Sequence, residues 1–103
     1  MKVLIADDHE LVRDTLCAFI EREPDLSVSA ASDFPGAARL IEKEGPFDLV
    51  LLDYNMPGMD GLDGLARARE LNFNNPVAIL SGTAPRSIAE AALAAGAAGF
   101  LPK

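Results

Sequence analysis

Charged side chains stand where short apolar runs stop. Asp7 and Asp8 follow the run Lys2–Ala6, Asp53 follows Leu49–Leu52, and Lys103 follows Ala98–Leu101 through Pro102. Ser81 and Gly82 follow Val77–Leu80 in the same way. Three carboxylates brought to one place raise one another's pKa and cost stability unless a cation neutralises them. Hard oxygen donors with room for water suit Mg²⁺, which typically takes few carboxylates together with a phosphate. A hydroxyl from Ser81 and an ammonium from Lys103, set beside such a metal, would surround a tetrahedral dianion. Asp53, at the centre, can be the nucleophile that receives it, because Asp forms acyl phosphates. The chemistry these residues ask for is phosphoryl transfer to Asp53.

Converging residues need elements that end at one edge. The apolar blocks are short and alternate with amphipathic stretches. Lys2–Ala6 reads as a strand buried on both faces. From Glu10 to about Arg22, Val12, Leu16, Phe19 and Ile20 share one helical face. Leu26–Ala31 alternates apolar residues with serine, as an edge strand does. Ser32 or Asp33 can cap a helix carrying Ala37, Ala38 and Ile41, which Gly45-Pro46 stops. Leu49–Leu52 is the best central strand, and a loop rich in Pro and Gly spans Asn55 to Gly61. A third helix holds Leu62, Leu65 and Ala66, with Asp60 as its expected N-cap and Arg67 and Arg69 near its end. Val77–Leu80 is a strand, Pro85 opens an alanine-rich helix that Gly96 closes, and Ala98–Leu101 is the last strand. Such alternation predicts an α/β, doubly wound five-stranded parallel sheet with right-handed crossovers. Strand order 2-1-3-4-5 puts the switch point between the first and third strands, where ligands bind.

Composition narrows the classes. The chain has 103 residues, half of them apolar and 24% charged, which suits one small globular domain. A net charge of -7 repels phosphate backbones, so this segment is not expected to bind nucleic acid directly. No apolar run approaches the roughly 20 residues of a membrane span, and no signal peptide opens the chain. The single cysteine, Cys17, builds neither a disulfide nor a metal knuckle, and a cytoplasmic location is expected.

Asp7-Asp8, Asp53 within Asp53-Tyr54-Asn55-Met56-Pro57-Gly58-Met59-Asp60-Gly61, Ser81 and Lys103 together resemble the receiver domain of two-component response regulators. The intervals are 45 positions from Asp8 to Asp53, 28 more to Ser81 and 22 more to Lys103. The opening Asp7-Asp8-His9-Glu10-Leu11-Val12-Arg13 is similar to the NarL/FixJ branch. The resemblance implies the flavodoxin-like fold and a signalling phosphoacceptor, not a turnover enzyme, that catalyses only its own phosphorylation and dephosphorylation. Asp53 would take phosphate from a histidine kinase. Mg²⁺ would be held by Asp8, Asp53 and the backbone carbonyl of Asn55, with Asp7 acting through a metal-bound water. Ser81 and Lys103 would hold the phosphoryl oxygens. Ser81 and Phe100 match the switch pair, although the family more often has Tyr where Phe100 stands. Asn55 and Thr83 match positions that tune the lifetime of the phosphoryl group. Gly82 replaces the usual alanine and should leave the acyl phosphate more open to small donors or water.

The resemblance also implies a downstream DNA-binding output domain, a role in transcription and, for the full-length protein, a homodimer. A fifth helix is expected after Lys103, so residues 1–103 read as a receiver domain incomplete at its C-terminus. A receiver-like module that signals without phosphate is the alternative, although such modules often lose one of the five polar residues kept here. An aspartyl phosphohydrolase usually has a second Asp two residues after its nucleophile. Asn55 stands there, and its amide cannot act as that general acid. Structural roles suffice for His9, at a helix start, and for Cys17, a small residue beside an apolar face.

Overall fold

Five apolar runs, each too short for a stable helix, pair side by side. The computed structural model describes residues 1–82 and 84–103. Strands Lys2–Ala6 (β1), Ser27–Ala31 (β2), Leu49–Asp53 (β3), Val77–Ser81 (β4) and Phe100–Pro102 (β5) form one parallel sheet, ordered β2-β1-β3-β4-β5. Between them run helices Glu10–Glu21 (α1), Phe34–Glu44 (α2), Leu62–Leu71 (α3) and Arg86–Ala94 (α4). The expected flavodoxin-like order is therefore the observed one. The described residues contain four helices, none of them after β5.

Register places the strand ends level. Ala6 lies beside Leu52, Asp53 beside Leu80 and Ser81 beside Pro102. Residues one step further along β1, β3 and β5 therefore meet at one edge of the sheet. Period-two alternation splits the strands between two cores. Leu4, Val50, Leu52 and Ile79 face the larger one, which α2 and α3 complete through Phe34, Ile41 and Leu65. Val3, Ile5, Leu51 and Leu80 face a smaller one covered by Leu16, Cys17 and Ile20 of α1. Asn72, at the end of α3, is fully buried and brackets Phe47. Its Oδ1 accepts from the Phe47 N–H at 2.7 Å and its Nδ2 donates to the Phe47 carbonyl at 3.0 Å. That pair fixes where β3 begins.

Several local expectations shift. Phe19 is 68% exposed, and no residue of α1 is fully buried. At about 100° per residue, Leu16, Cys17 and Ile20 span one arc, whereas Phe19 falls on the far side of Leu16. Cys17 is correspondingly half-buried rather than buried, and that burial, with Glu21 and Asp14 nearby, pushes its thiol up. Asp60 is not the N-cap of α3. Gly61 holds that position at φ 61°, while Asp60 itself adopts φ 51° in the preceding turn. Pro85 caps α4 from outside instead of lying in its first turn. The last strand spans Phe100–Pro102, although Ala98 and Gly99 already bond to β4 after the turn at Gly96 (φ 99°): the Ala98 N–H donates to the Val77 carbonyl at 2.8 Å and the Gly99 carbonyl accepts from the Ile79 N–H at 3.0 Å. Asp33 caps α2 as expected, accepting from the Gly36 N–H at 2.7 Å. Among the described residues no helix is long and apolar enough to cross a membrane.

Candidate functional site

Each strand end delivers its side chain by a local device. The Asp7 N–H still pairs with the Ala31 carbonyl at 3.0 Å, so β1 remains in register up to the acidic pair. Asp7 Oδ1 then accepts from the His9 N–H at 2.8 Å, an Asx turn that starts α1. Arg13 donates to the Asp7 carbonyl at 2.9 Å and locks that turn from the next helical coil. After β3, Met56 and Met59 anchor the Pro- and Gly-rich loop in the core, and the Phe34 N–H holds the Pro57 carbonyl at 2.9 Å. Asp53 is thereby presented from a rigid base, and its Oδ1 accepts from the Asn55 N–H at 3.3 Å.

Asp7, Asp8, Asp53 and Lys103 meet as expected. Asp7 and Asp53 are essentially inaccessible, whereas Asp8 is exposed. The Lys103 ammonium donates to Asp7 Oδ1 at 3.0 Å and lies 3.0 Å from both Asp7 Oδ2 and Asp53 Oδ2. It satisfies those two oxygens as charge only, since neither accepts a hydrogen bond among the described residues. Two buried carboxylate oxygens without donors, beside a third carboxylate at the surface, fit a divalent cation better than a lone ammonium. A cavity of about 400 Å³ opens here, lined by Asp8, His9, Asp53, Asn55, Gly82 and Lys103 among others. A larger hollow of about 560 Å³ lies off the β2 edge between Arg13, Ser32 and Arg39; none of these carboxylates lines it.

The charges are unequal in their settings. Burial raises the Asp7 carboxyl, but the His9 N–H and the Lys103 ammonium outweigh it, and Asp7 stands below the usual value. Burial raises Asp53 as well; the Asp8 contact and the Asp7 charge add to this. Lys103 and the Asn55 N–H only partly offset them, so Asp53 stands above its usual value. For Lys103, burial pulls down, yet Asp7 and Asp53 together hold the ammonium above its usual value. The central carboxylate is therefore the one held least comfortably in its charged form.

The remaining expected residues lie close by. Ser81 is buried, and its Oγ accepts from the Ala84 N–H at 3.0 Å. Asn55 lines the cavity. Phe100 is half-buried against the larger core and does not line the cavity. Thr83 lies outside the described residues. The residue that sequence reasoning undervalued is His9. Its Nδ1 stands 3.0 Å from Asp7 Oδ1, 3.3 Å from Asp8 Oδ1 and 2.8 Å from Lys103 Nζ.

The family model for the response regulator receiver domain matches residues 3–103. The chain belongs to the response regulator receiver domains. Within them it is NarL-like: it is 36% identical over 102 residues to the nitrate/nitrite response regulator protein NarL of Escherichia coli, covering 98% of this chain and 47% of that protein. The receiver domain of the putative response regulator NarL from Mycobacterium tuberculosis superposes with a TM-score of 0.86 at 35% identity. That match covers 98% of this chain and 82% of the other. A response regulator protein from Burkholderia pseudomallei, solved with a phosphorylated aspartic acid, calcium ion and citrate, also superposes at 0.86, with 28% identity, 99% coverage of this chain and 59% of the other. This receiver domain spans about half the length of the curated relatives it first matches. It is a signalling domain by family, and its acidic cluster lies where a doubly wound sheet binds ligands.

Proposed function

We infer that this receiver domain takes a phosphoryl group on Asp53 from the phosphohistidine of a histidine kinase, in a Mg²⁺-dependent step. The observation that carries this reading is the buried Asp53 carboxylate, set between Asp7 and Lys103 with an undonated oxygen, at the wall of an open cavity. Asp7, Asp8, Asp53 and the backbone carbonyl of Asn55 would hold Mg²⁺, which when bound neutralises the charge gathered at the site. A carboxylate oxygen of Asp53 attacks phosphorus, the phosphorus–nitrogen bond breaks, and the imidazole leaves with the electron pair. Lys103 and Ser81 would steady the phosphoryl oxygens, and water later attacks phosphorus to restore the carboxylate. The relative solved with a phosphorylated aspartic acid and a divalent ion supports the assignment.

Drawing the Ser81 hydroxyl onto the phosphoryl group would cost it the Ala84 N–H and loosen the turn after β4. Phe100, on the neighbouring strand, would then pack further inward, changing the surface of α4 and β5. Output would pass through a downstream DNA-binding domain, in a cytoplasmic regulator that dimerises at full length. The transcriptional part is supported by the NarL relative described as a probable transcriptional regulatory protein and by the roughly doubled length of these relatives.

Incubation with acetyl phosphate and Mg²⁺, followed by intact mass measurement, should add one phosphoryl group, and a chelator should prevent it. No addition, or addition indifferent to Mg²⁺, would overturn the reading. Gly82 offers a finer test. A Cβ there would meet Lys103 Cβ at 3.8 Å and Cδ at 3.9 Å, ordinary contacts that require no movement. Gly82→Ala should therefore fold normally, narrow the path to Asp53 and lengthen the acyl-phosphate lifetime several-fold. An unchanged rate of label loss would show that Gly82 does not gate water.

A further inference from the structure

His9 occupies the N-cap position of α1 with an extended backbone (φ -87°, ψ 102°), yet its side chain makes no capping hydrogen bond. The ring instead turns toward the acidic cluster while its side chain stays 61% exposed. Nδ1 lies 3.0 Å from Asp7 Oδ1, 3.3 Å from Asp8 Oδ1 and 3.6 Å from Asp53 Oδ2. One ligand atom from each of these four residues lies within 4.8 Å of the rest. Metal bonds of about 2.0–2.2 Å put neighbouring donors about 3.0 Å apart in an octahedron and about 3.4 Å apart in a tetrahedron. The observed separations cover that range. Asp53 Oδ2, buried and without a hydrogen-bond donor, is one of the oxygens facing Nδ1. Lys103 Nζ at 2.8 Å can donate to the Nδ1 lone pair, the same lone pair a metal would use.

We propose that His9 is a nitrogen ligand of this centre and tilts it away from Mg²⁺ toward borderline cations such as Co²⁺, Ni²⁺ and Zn²⁺. The inference rests on reading the acidic cluster as a metal site. Imidazole suits borderline metals, whereas Mg²⁺ is satisfied by carboxylate, carbonyl and water. An all-oxygen receiver site would gain nothing from a His here; this one gains a donor that only softer cations exploit. The consequence is a domain whose metal occupancy follows which divalent ion is at hand.

Any oxygen and nitrogen site prefers Co²⁺ to Mg²⁺ to some degree, so the informative quantity is the change in that preference. Calorimetric titration of the wild type, His9→Ala and His9→Gln with Co²⁺ and separately with Mg²⁺ should show the Co²⁺/Mg²⁺ affinity ratio falling at least tenfold in both variants. The visible absorption of bound Co²⁺ should shift as nitrogen is lost. Urea unfolding of the metal-free variants checks that they are folded. An unchanged ratio, or an unshifted Co²⁺ spectrum, overturns the role of His9 while leaving the metal site intact. Failure of the wild type to bind either cation overturns the metal reading itself, and this proposal with it.

Discussion

Asp53→Asn should take up no phosphoryl group from acetyl phosphate and, in metal-free buffer at neutral pH, should melt a few degrees above the wild type. The two halves of this result have opposite signs and one cause. Asn offers no carboxylate to attack phosphorus, so labelling falls to background. Stability rises because burial, the Asp8 contact and the Asp7 charge hold the Asp53 carboxyl above its usual value, despite Lys103. A carboxyl raised in the folded state costs stability once pH climbs through its unfolded value of 3.8 and on through its folded one. Asn carries no charge and escapes that cost. For a domain near 100 residues, each 1 kcal/mol recovered raises Tm by roughly 4–8 °C. The advantage should vanish below the unfolded value, where the wild-type carboxyl is protonated anyway. It should shrink or reverse with saturating Mg²⁺, which on the proposed reading would stabilise the wild type through a site the variant has weakened. Scanning calorimetry at acid and neutral pH, with and without Mg²⁺, reads all of this. Equal labelling in Asp53→Asn, or a lower melting temperature without metal, would contradict the account.

Why so much of this site was legible in the sequence follows from parallel pairing. Strands that all run one way end at one edge, so the residue after each apolar block is a candidate by position alone. Asp7, Asp53, Ser81 and Lys103 follow from that logic, and the register of Ala6 with Leu52 and Ser81 with Pro102 delivers it. What spacing does not carry is the direction of a side chain in a turn. The His9 ring enters the cluster because the Asp7 carboxylate captures the His9 N–H, a three-residue effect with no periodicity. Arg13 closing on the Asp7 carbonyl is equally local. The pattern of α1 suggested a face including Phe19, but the small core beneath it accepts only the arc of Leu16, Cys17 and Ile20. At Asp60 and Gly61, two consecutive residues of positive φ move the start of α3 by one position, which residue preference alone does not fix.

The second large effect concerns the one ammonium that the buried carboxylates share. Lys103→Met keeps the length of the side chain and removes its charge, leaving Asp7 and Asp53 facing each other at 0% and 1% exposure. Removing one partner of a buried ion pair typically costs about 3–5 kcal/mol, because the other charge is left uncompensated. Here the lower end applies, about 3 kcal/mol, since a carboxyl can take up a proton instead of bearing the full penalty. That escape fixes the pH dependence. Without Lys103 both carboxyls rise, so the variant loses stability progressively as pH climbs from the unfolded value of 3.8 toward neutrality. The wild type behaves differently at the other end. Its Lys103 is held above the usual value, so the stability that the ammonium contributes is complete below 10.5 and is lost as pH rises through the folded value. Urea unfolding in metal-free buffer should show a deficit that is small in acid, largest near neutral pH and smaller again in strong alkali. Mg²⁺ stabilises both proteins, so at neutral pH it should narrow the deficit by as much as it binds the variant, freed of the competing ammonium, more tightly than the wild type, about 1.4 kcal/mol for each tenfold difference in affinity. Acetyl phosphate labelling should not recover, because the phosphoryl oxygens would still lack the Lys103 ammonium. A deficit that is flat with pH, or that Mg²⁺ leaves untouched, would mean that Lys103 supports the fold by packing and not by charge.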